Sequence, residues 1–308
     1  MLSVEIIEGN SNVLAEVKPL SVKINLSLNI PAHSAVVIVP YEKYDNPQYI
    51  NILDENGLIF KGVIDEEQTV FSSAGKYNKF LLRSLMCLLL DNEIEPMVIH
   101  KATENFLGRK YLQPLSLEFV PGEHILAEPI SCELGTTMYQ LMENYSKKVF
   151  GTSPYLSPEG VFSFSGGVKN EIVEFSENRS KGIKYNSYKE YKRPYQQITV
   201  INYMLDNKGY KYKLKNPNIK SYSVPRERYL DCRLESKTPV SYGEDIMKKS
   251  FRESLVAEVV CTNQLTRLIG NRAIVDFSDE EFVITEVSYS FGSTGESTKL
   301  LLEKYLKG

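Results

Sequence analysis

The stretch SYGEDIMKKSFRESLVAEVVCTNQLTRLIGNRAIVDFSDEEFVITEVSYSFGSTGESTKLLLEKY, residues 241–305, decides the reading of this chain. Ser241 followed by Glu244 has the S-x-x-E form of a capping box, in which side chains satisfy the N–H groups that a first helical turn leaves open. Met247, Phe251 and Leu255 then recur at i, i+4 and i+8, which predicts a capped amphipathic helix over about 241–256. After it come the turn-flanked run Asn271 to Phe277 and the longer run Glu281 to Phe291, where Val283, Val287, Tyr289 and Phe291 share one strand face. Gly292-Ser-Thr-Gly295 reads as a turn and Ser297 to Glu303 as the returning strand. The order is helix, then β-meander.

The N-terminal third is also β in pattern. Leu20, Val22, Ile24, Leu26 and Leu28 alternate with Ser21, Lys23, Asn25 and Ser27, a period of two that gives a strand with one buried face. Ala35 to Val39 is a short apolar run between Pro31 and Pro40, suited to a strand covered on both faces, and Leu58 to Ile64 follows the turn signal Glu55-Asn-Gly57. Residues 92–170 have another texture. Thr103-Glu-Asn-Phe106 can start a helix ending before Pro114. Thr137 with Gln140 forms a T-x-x-Q box, followed by Met138, Leu141, Met142, Tyr145 and Val149 at helical spacing and Gly151 as a stop. Ser153-Pro-Tyr-Leu156, Pro158-Glu-Gly160 and Val161 to Phe164 read as a hairpin. β patterning returns from about 171, with Gln197 to Leu205 and then, beyond the turn Asp206-Asn-Lys-Gly209, the alternation of Tyr210, Tyr212 and Leu214 with Lys211, Lys213 and Lys215. The expected architecture is mainly β (α+β): a β-barrel domain at 1–91, a small α+β domain at 92–170, and a second β-barrel domain at 171–308.

A chain of 308 residues with 42% hydrophobic and 24% charged residues fits a globular protein of more than one core. Cys87, Cys132, Cys232 and Cys261 lie too far apart for a C-x-x-C metal or redox motif and read as reduced structural thiols. The opening MLSVEIIEGN lacks a basic and then apolar leader pattern. The longest apolar run, near residue 85, is well short of the roughly 18 residues of a membrane span. Neither a signal peptide nor a transmembrane helix is expected.

His33, His100 and His124 are isolated, with no metal-ligand spacing, and no nucleophile elbow, phosphate loop or dinucleotide fingerprint is present. No catalytic, cofactor-binding or metal-binding residue is therefore assigned, and no cofactor is expected. Carboxylates cluster at Asp65-Glu66-Glu67, at Glu93 with Glu95, and at Asp279-Glu280-Glu281. A glycosidase needs two carboxyls facing across a cleft, so a cell-wall hydrolase is an alternative, while solvated turns are the simpler reading of such triplets. The strongest anomaly is the stretch 181–230, where twelve Lys or Arg face three Asp or Glu. Its net charge is +9 in a chain of net charge −3, and it holds nine of the 20 tyrosines. Interleaved rings and cations suit single-stranded nucleic acid, a third alternative, but also an acidic protein partner. Lys208, Tyr210, Lys211, Tyr212, Lys213 and Lys215 are the candidate protein-interface residues.

The wording IGNRAIVDF (269–277) and EFVITEVSYSFGSTGESTKLLLE (281–303), with Arg83-Ser84 and Asp91-Asn-Glu93 in an R-S-x-x-x-L-L-x-D-N-E segment, resembles baseplate hub proteins of contractile phage tails, the late control D and Mu-like P family. The resemblance implies two similar β-barrels per chain around a small insertion. It also implies a homotrimer that adapts a sixfold tail tube to a threefold spike, and a structural rather than enzymatic role. Tail tube, spike and baseplate proteins are the implied partners; neither membrane nor nucleic acid is expected. Such a protein is made in a bacterial cytoplasm and assembled into a virion tail or a tail-like bacteriocin.

Overall fold

The computed structural model describes residues 2–9, 12–73, 75–178, 182–217, 219, 224–232 and 239–306. The chain is mainly β and divides into two compact units, one of residues 1–169, 262–270 and 285–299, the other of residues 170–261, 271–284 and 300–308.

The first unit begins with seven strands, β1 (Ser3–Glu8), β2 (Val13–Val17), β3 (Ser21–Ser27), β4 (Ser34–Pro40), β5 (Pro47–Asp54), β6 (Gly57–Ser72) and β7 (Gly75–Ser84). They form one antiparallel ladder in the order β2-β1-β5-β6-β7-β4-β3. The alternation in β3 is realised as expected: Val22, Ile24 and Leu26 are buried while Lys23 and Asn25 are exposed. Leu20 falls outside the strand and is exposed. β6 is much longer than the run that announced it. An irregularity between Ile64 and Glu66 shifts the register and lets the strand continue to Ser72, so Asp65-Glu66-Glu67 is strand rather than turn.

Next come α1 (Cys87–Leu90), β8 (Met97–Ile99), α2 (Glu104–Leu107), β9 (Glu118–Phe119), β10 (Ile130–Cys132), α3 (Met138–Phe150), β11 (Tyr155–Leu156) and β12 (Val161–Ser163). α2 ends before Pro114 as expected, and the chain winds on through a π-turn, Gly108–Leu112, into a 3-10 turn, Gln113–Leu115, that accepts Pro114 in its first turn, where a missing N–H would find no partner. β11 and β12 pair as the expected hairpin. Leu107, Leu112, Leu141, Met142, Tyr145 and Phe162 share a core with Leu85, Met86 and Leu89. Each such side chain contributes about 1.5–3 kcal/mol on burial.

α3 has the capping box that its sequence announces: the Thr137 hydroxyl accepts the Gln140 N–H at 3.1 Å and the Gln140 side chain accepts the Thr137 N–H at 2.8 Å. Gly151 ends the helix at φ 70°, where a Cβ would be strained. Thr137→Ala should lower stability by about 1 kcal/mol, read as a drop in thermal midpoint.

The second unit holds β13 (Ile172–Ser176), β14 (Ile183–Lys184), β15 (Ser187–Lys192), β16 (Val200–Met204), β17 (Tyr212–Lys215), β18 (Glu227–Asp231), α4 (Pro239–Arg252), β19 (Leu255–Cys261) and β20 (Arg272–Val275). β13 pairs with β14 and β20 in parallel, β15 pairs with β19 antiparallel, and β16 lies between β17 and β18 in a separate sheet. Two last strands, β21 (Glu281–Gly292) and β22 (Gly295–Lys304), contribute residues to both units. The start of β21 pairs with β20, and Glu286 to Phe291 pair with β3.

The expected helix over 241–256 is displaced toward the N-terminus. α4 begins at Pro239, so Ser241 lies inside it rather than at its cap, since proline preset for helical φ is a stronger start than a hydroxyl two residues later. It ends at Arg252, and Leu255 opens β19. The run Leu255-Val-Ala-Glu-Val-Val-Cys261 is rich in β-branched residues, and that preference overrides the helical spacing of Leu255.

A candidate protein interface

The six candidate residues lie on and just before β17. β16 and β17 are an antiparallel pair with Ile201 opposite Leu214 and Tyr203 opposite Tyr212. Paired residues share a face, so the period of two sends Tyr212 and Leu214 to one side and Lys213 and Lys215 to the other. The first side is anchored by α4. Ile198, Ile201 and Met247 are buried together, with Leu214, Leu230 and Ile246 packed against them. The helix comes so close at Gly243 that a Cβ there would stand 2.8 Å from Leu214.

The tyrosines are packed less deeply than their alternation implies. Tyr212 stacks on Tyr203 with ring centroids 5.4 Å apart, and Tyr210 meets Tyr229 edge-on at 5.2 Å. Even so, Tyr212 remains 45% exposed and Tyr210 44%. Rings packed against each other at a surface are poor platforms for stacking bases, but they offer a rigid amphipathic patch of the kind enriched at protein contacts. Lys208, Lys211, Lys213 and Lys215 are all exposed, and no carboxylate pairs with them among the described residues. Lys208 sits in the turn, its N–H donating to the Asp206 carboxylate at 2.8 Å.

Members of two of the carboxylate clusters are held in ion pairs. Asp65 accepts Arg83 Nε at 2.6 Å, and the same guanidinium reaches Asp91 at 2.7 Å. Arg83 and Asp91 of the R-S-x-x-x-L-L-x-D-N-E segment thus tie α1 back to the sheet, and the arginine holds the Asp91 carboxyl below its usual range. Glu280 pairs with Lys304, and Glu281 with Arg272. Among the described residues, Glu93 forms a backbone bridge to Thr137. All four cysteines are buried, and burial pushes the thiols of Cys87 and Cys261 up to about 11.

One polar cluster has no signature in the sequence. The buried Glu104 accepts the Nδ1 of His124 at 2.7 Å, the His124 N–H at 3.0 Å and the Tyr145 hydroxyl at 2.8 Å. Burial pushes this carboxyl up, but the hydrogen bonds from backbone, Tyr145 and His124 outweigh burial and hold it below the usual range. With both oxygens occupied, Glu104 works as a strap that fixes irregular residues 120–129 onto α2 and α3. An N-cap threonine, Thr103, marks α2, but nothing in the spacing of Glu104, His124 and Tyr145 marks their convergence.

Neither a protein-family model nor a curated protein matches the chain. Solved structures do. A tail protein from Neisseria meningitidis MC58 is 16% identical, with a TM-score of 0.75 over 98% of this chain and 95% of that one. The 43 kDa tail protein of prophage MuSo2 from Shewanella oneidensis is 14% identical, with a TM-score of 0.74 over 98% and 97%. The E. coli c3393 protein, described as a type VI secretion component with structural similarity to the T4 tail proteins gp27 and gp5, is 12% identical, with a TM-score of 0.57 over 99% and 77%. The chain thus has, over nearly its whole length, the fold of phage tail proteins, the fold that its sequence resemblance implies.

Proposed function

We propose that this chain is a structural component of a contractile tail or tail-like particle, and within it the baseplate hub. The observation that carries the reading is the extent of the likeness: 98% of the chain follows the fold of tail proteins that are themselves matched over 95% and 97% of their length. In this reading the chain acts by binding, with tail tube, spike and baseplate proteins as its partners. The stretches 1–91 and 171–308 supply two barrels per chain around the insertion at 92–170. Three chains then present six similar units toward a sixfold tube and three identical ones toward a threefold spike. The tyrosine and lysine surface around β17 serves a protein contact, which the packing of its rings on one another favours over nucleic acid.

Native mass measurement of the purified full chain tests the symmetry. Three copies per particle are expected; a stable hexamer or a monomer at all concentrations would overturn the hub assignment.

A further inference from the structure

The tail assembly reading requires that copies of this chain recognise each other, and two open strand edges offer surfaces for it. β6 pairs with β5 only as far as Val63, opposite Tyr49, whereas its pairing with β7 runs on to Ser72. Among the described residues, 65–72 therefore has a ladder partner on one side alone. This edge is acidic. Glu66 accepts the Gln68 amide at 2.6 Å and Glu67 the Asn78 amide at 3.0 Å, so their described partners are neutral groups and leave both charges standing. β17 likewise pairs with β16 alone among the described residues, from Val200 opposite Lys215 to Tyr203 opposite Tyr212, and its edge carries Lys213 and Lys215 with Lys211 just before it.

An open edge displays backbone N–H and C=O groups at strand spacing, and a strand from another molecule satisfies them. Which strand is welcome is decided by charge. Two β6 edges would set carboxylates against carboxylates, and two β17 edges lysines against lysines; like charges across a strand pair are unfavourable. Only the mixed contact joins opposite charges. We propose that the acidic edge of β6 in one chain adds to the lysine edge of β17 in a second copy. Such a contact uses different surfaces on the two partners, so it excludes a twofold dimer and propagates head to tail until the ring closes. The inference rests on the homotrimer reading and names the surfaces that would build it.

The test is charge exchange, read by native mass and sedimentation of the full chain. The pair Glu66→Lys and Glu67→Lys, and separately the pair Lys213→Glu and Lys215→Glu, should each weaken association about tenfold or more, while far-ultraviolet circular dichroism stays unchanged. All four substitutions together should restore it. In the unmodified chain, amide exchange at residues 65–72 and 212–215 should slow as rising concentration drives association. A trimer indifferent to both exchanges, or exchange rates at these edges that do not change with assembly, overturns the edge pairing and leaves the trimer standing. An unmodified chain that stays monomeric overturns both.

Discussion

Replacing Gly270 with alanine is expected to destabilise the chain by about 3–5 kcal/mol, from the sum of a strained backbone and an overfilled contact. Gly270 stands at φ +84°, and a Cβ built on it would lie 1.9 Å from the carbonyl oxygen of Gly167. That oxygen belongs to backbone, so no rotamer change can clear it. The segment is pinned from the other side too, where the Gly270 carbonyl accepts the Lys169 N–H at 2.8 Å and the Arg267 carbonyl accepts the Lys169 ammonium at 2.9 Å. Arg267 in turn forms a two-pronged pair with Asp54, at 2.6 and 2.8 Å, and reaches the carbonyls of Gly57 and Leu58. Gly57→Ala is the control: its φ of +110° is also unfavourable, but nothing lies within 4 Å of the added carbon. The denaturant midpoint should therefore move far more for Gly270→Ala than for Gly57→Ala. Equal shifts would mean that the close approach to Gly167 relaxes without cost.

The second large effect is a loss of stability in mild acid, about 3 kcal/mol between pH 6.5 and pH 4, traced to His33. The buried ring uses both nitrogens in its neutral form: Nδ1 accepts the Ser27 N–H at 3.3 Å and Nε2 donates to the Leu156 carbonyl at 3.0 Å. Tyr155 closes over it at 5.4 Å between centroids. Burial, partly opposed by the Leu156 carbonyl, lowers the imidazole to about 4 from its ordinary 6.5. The unfolded chain thus takes up a proton that the folded one refuses. The contribution is complete above the unfolded value and disappears as pH falls through the window to the folded one. Glu104, Asp54 and Asp276, whose carboxyls are held below their usual range, weaken the fold only in stronger acid, so the His33 window stands apart. Urea unfolding at several pH values should show this slope in the unmodified chain and lose it in His33→Gln. An unchanged slope in that variant would assign the acid sensitivity elsewhere.

What the sequence made legible was local. The box at Thr137 and Gln140, the stop at Gly151 and the alternation in β3 each depend on residues within a few positions of one another, and each is found. The start of α4 is not legible, because two legitimate helix openings, Pro239 and Ser241, stand two residues apart and the chain uses the earlier. Asp65-Glu66-Glu67 reads as turn because acidic triplets solvate well, whereas in a long edge strand the same solvation is available without turning. At the candidate interface, the sequence identified the lysines and tyrosines, but only pairing with β16 shows that Tyr212 rests on Tyr203. Contacts such as Arg267 with Asp54, Glu104 with His124, and β13 in parallel with β20 join residues from 20 to over 200 positions apart. No periodicity reports them, because their energy is invisible until the chain has come together.

The pairing of β3 also sets the order in which the protein can be finished. β3 finds one of its two neighbours in Ser34 to Ile38, but the other is Glu286 to Phe291. A ribosome adding roughly 5–20 residues per second needs on the order of ten seconds or more to make the chain between them. During that interval the flank of Val22 to Ser27 waits, half satisfied, for a strand that has not been synthesised. A nascent N-terminal sheet that forms early would expose this flank, and neighbouring nascent chains on one message would carry the same open edge at the same time. Spacing between ribosomes, and whatever chaperone shields that flank, would then govern the yield of native protein as much as the stability of the finished fold.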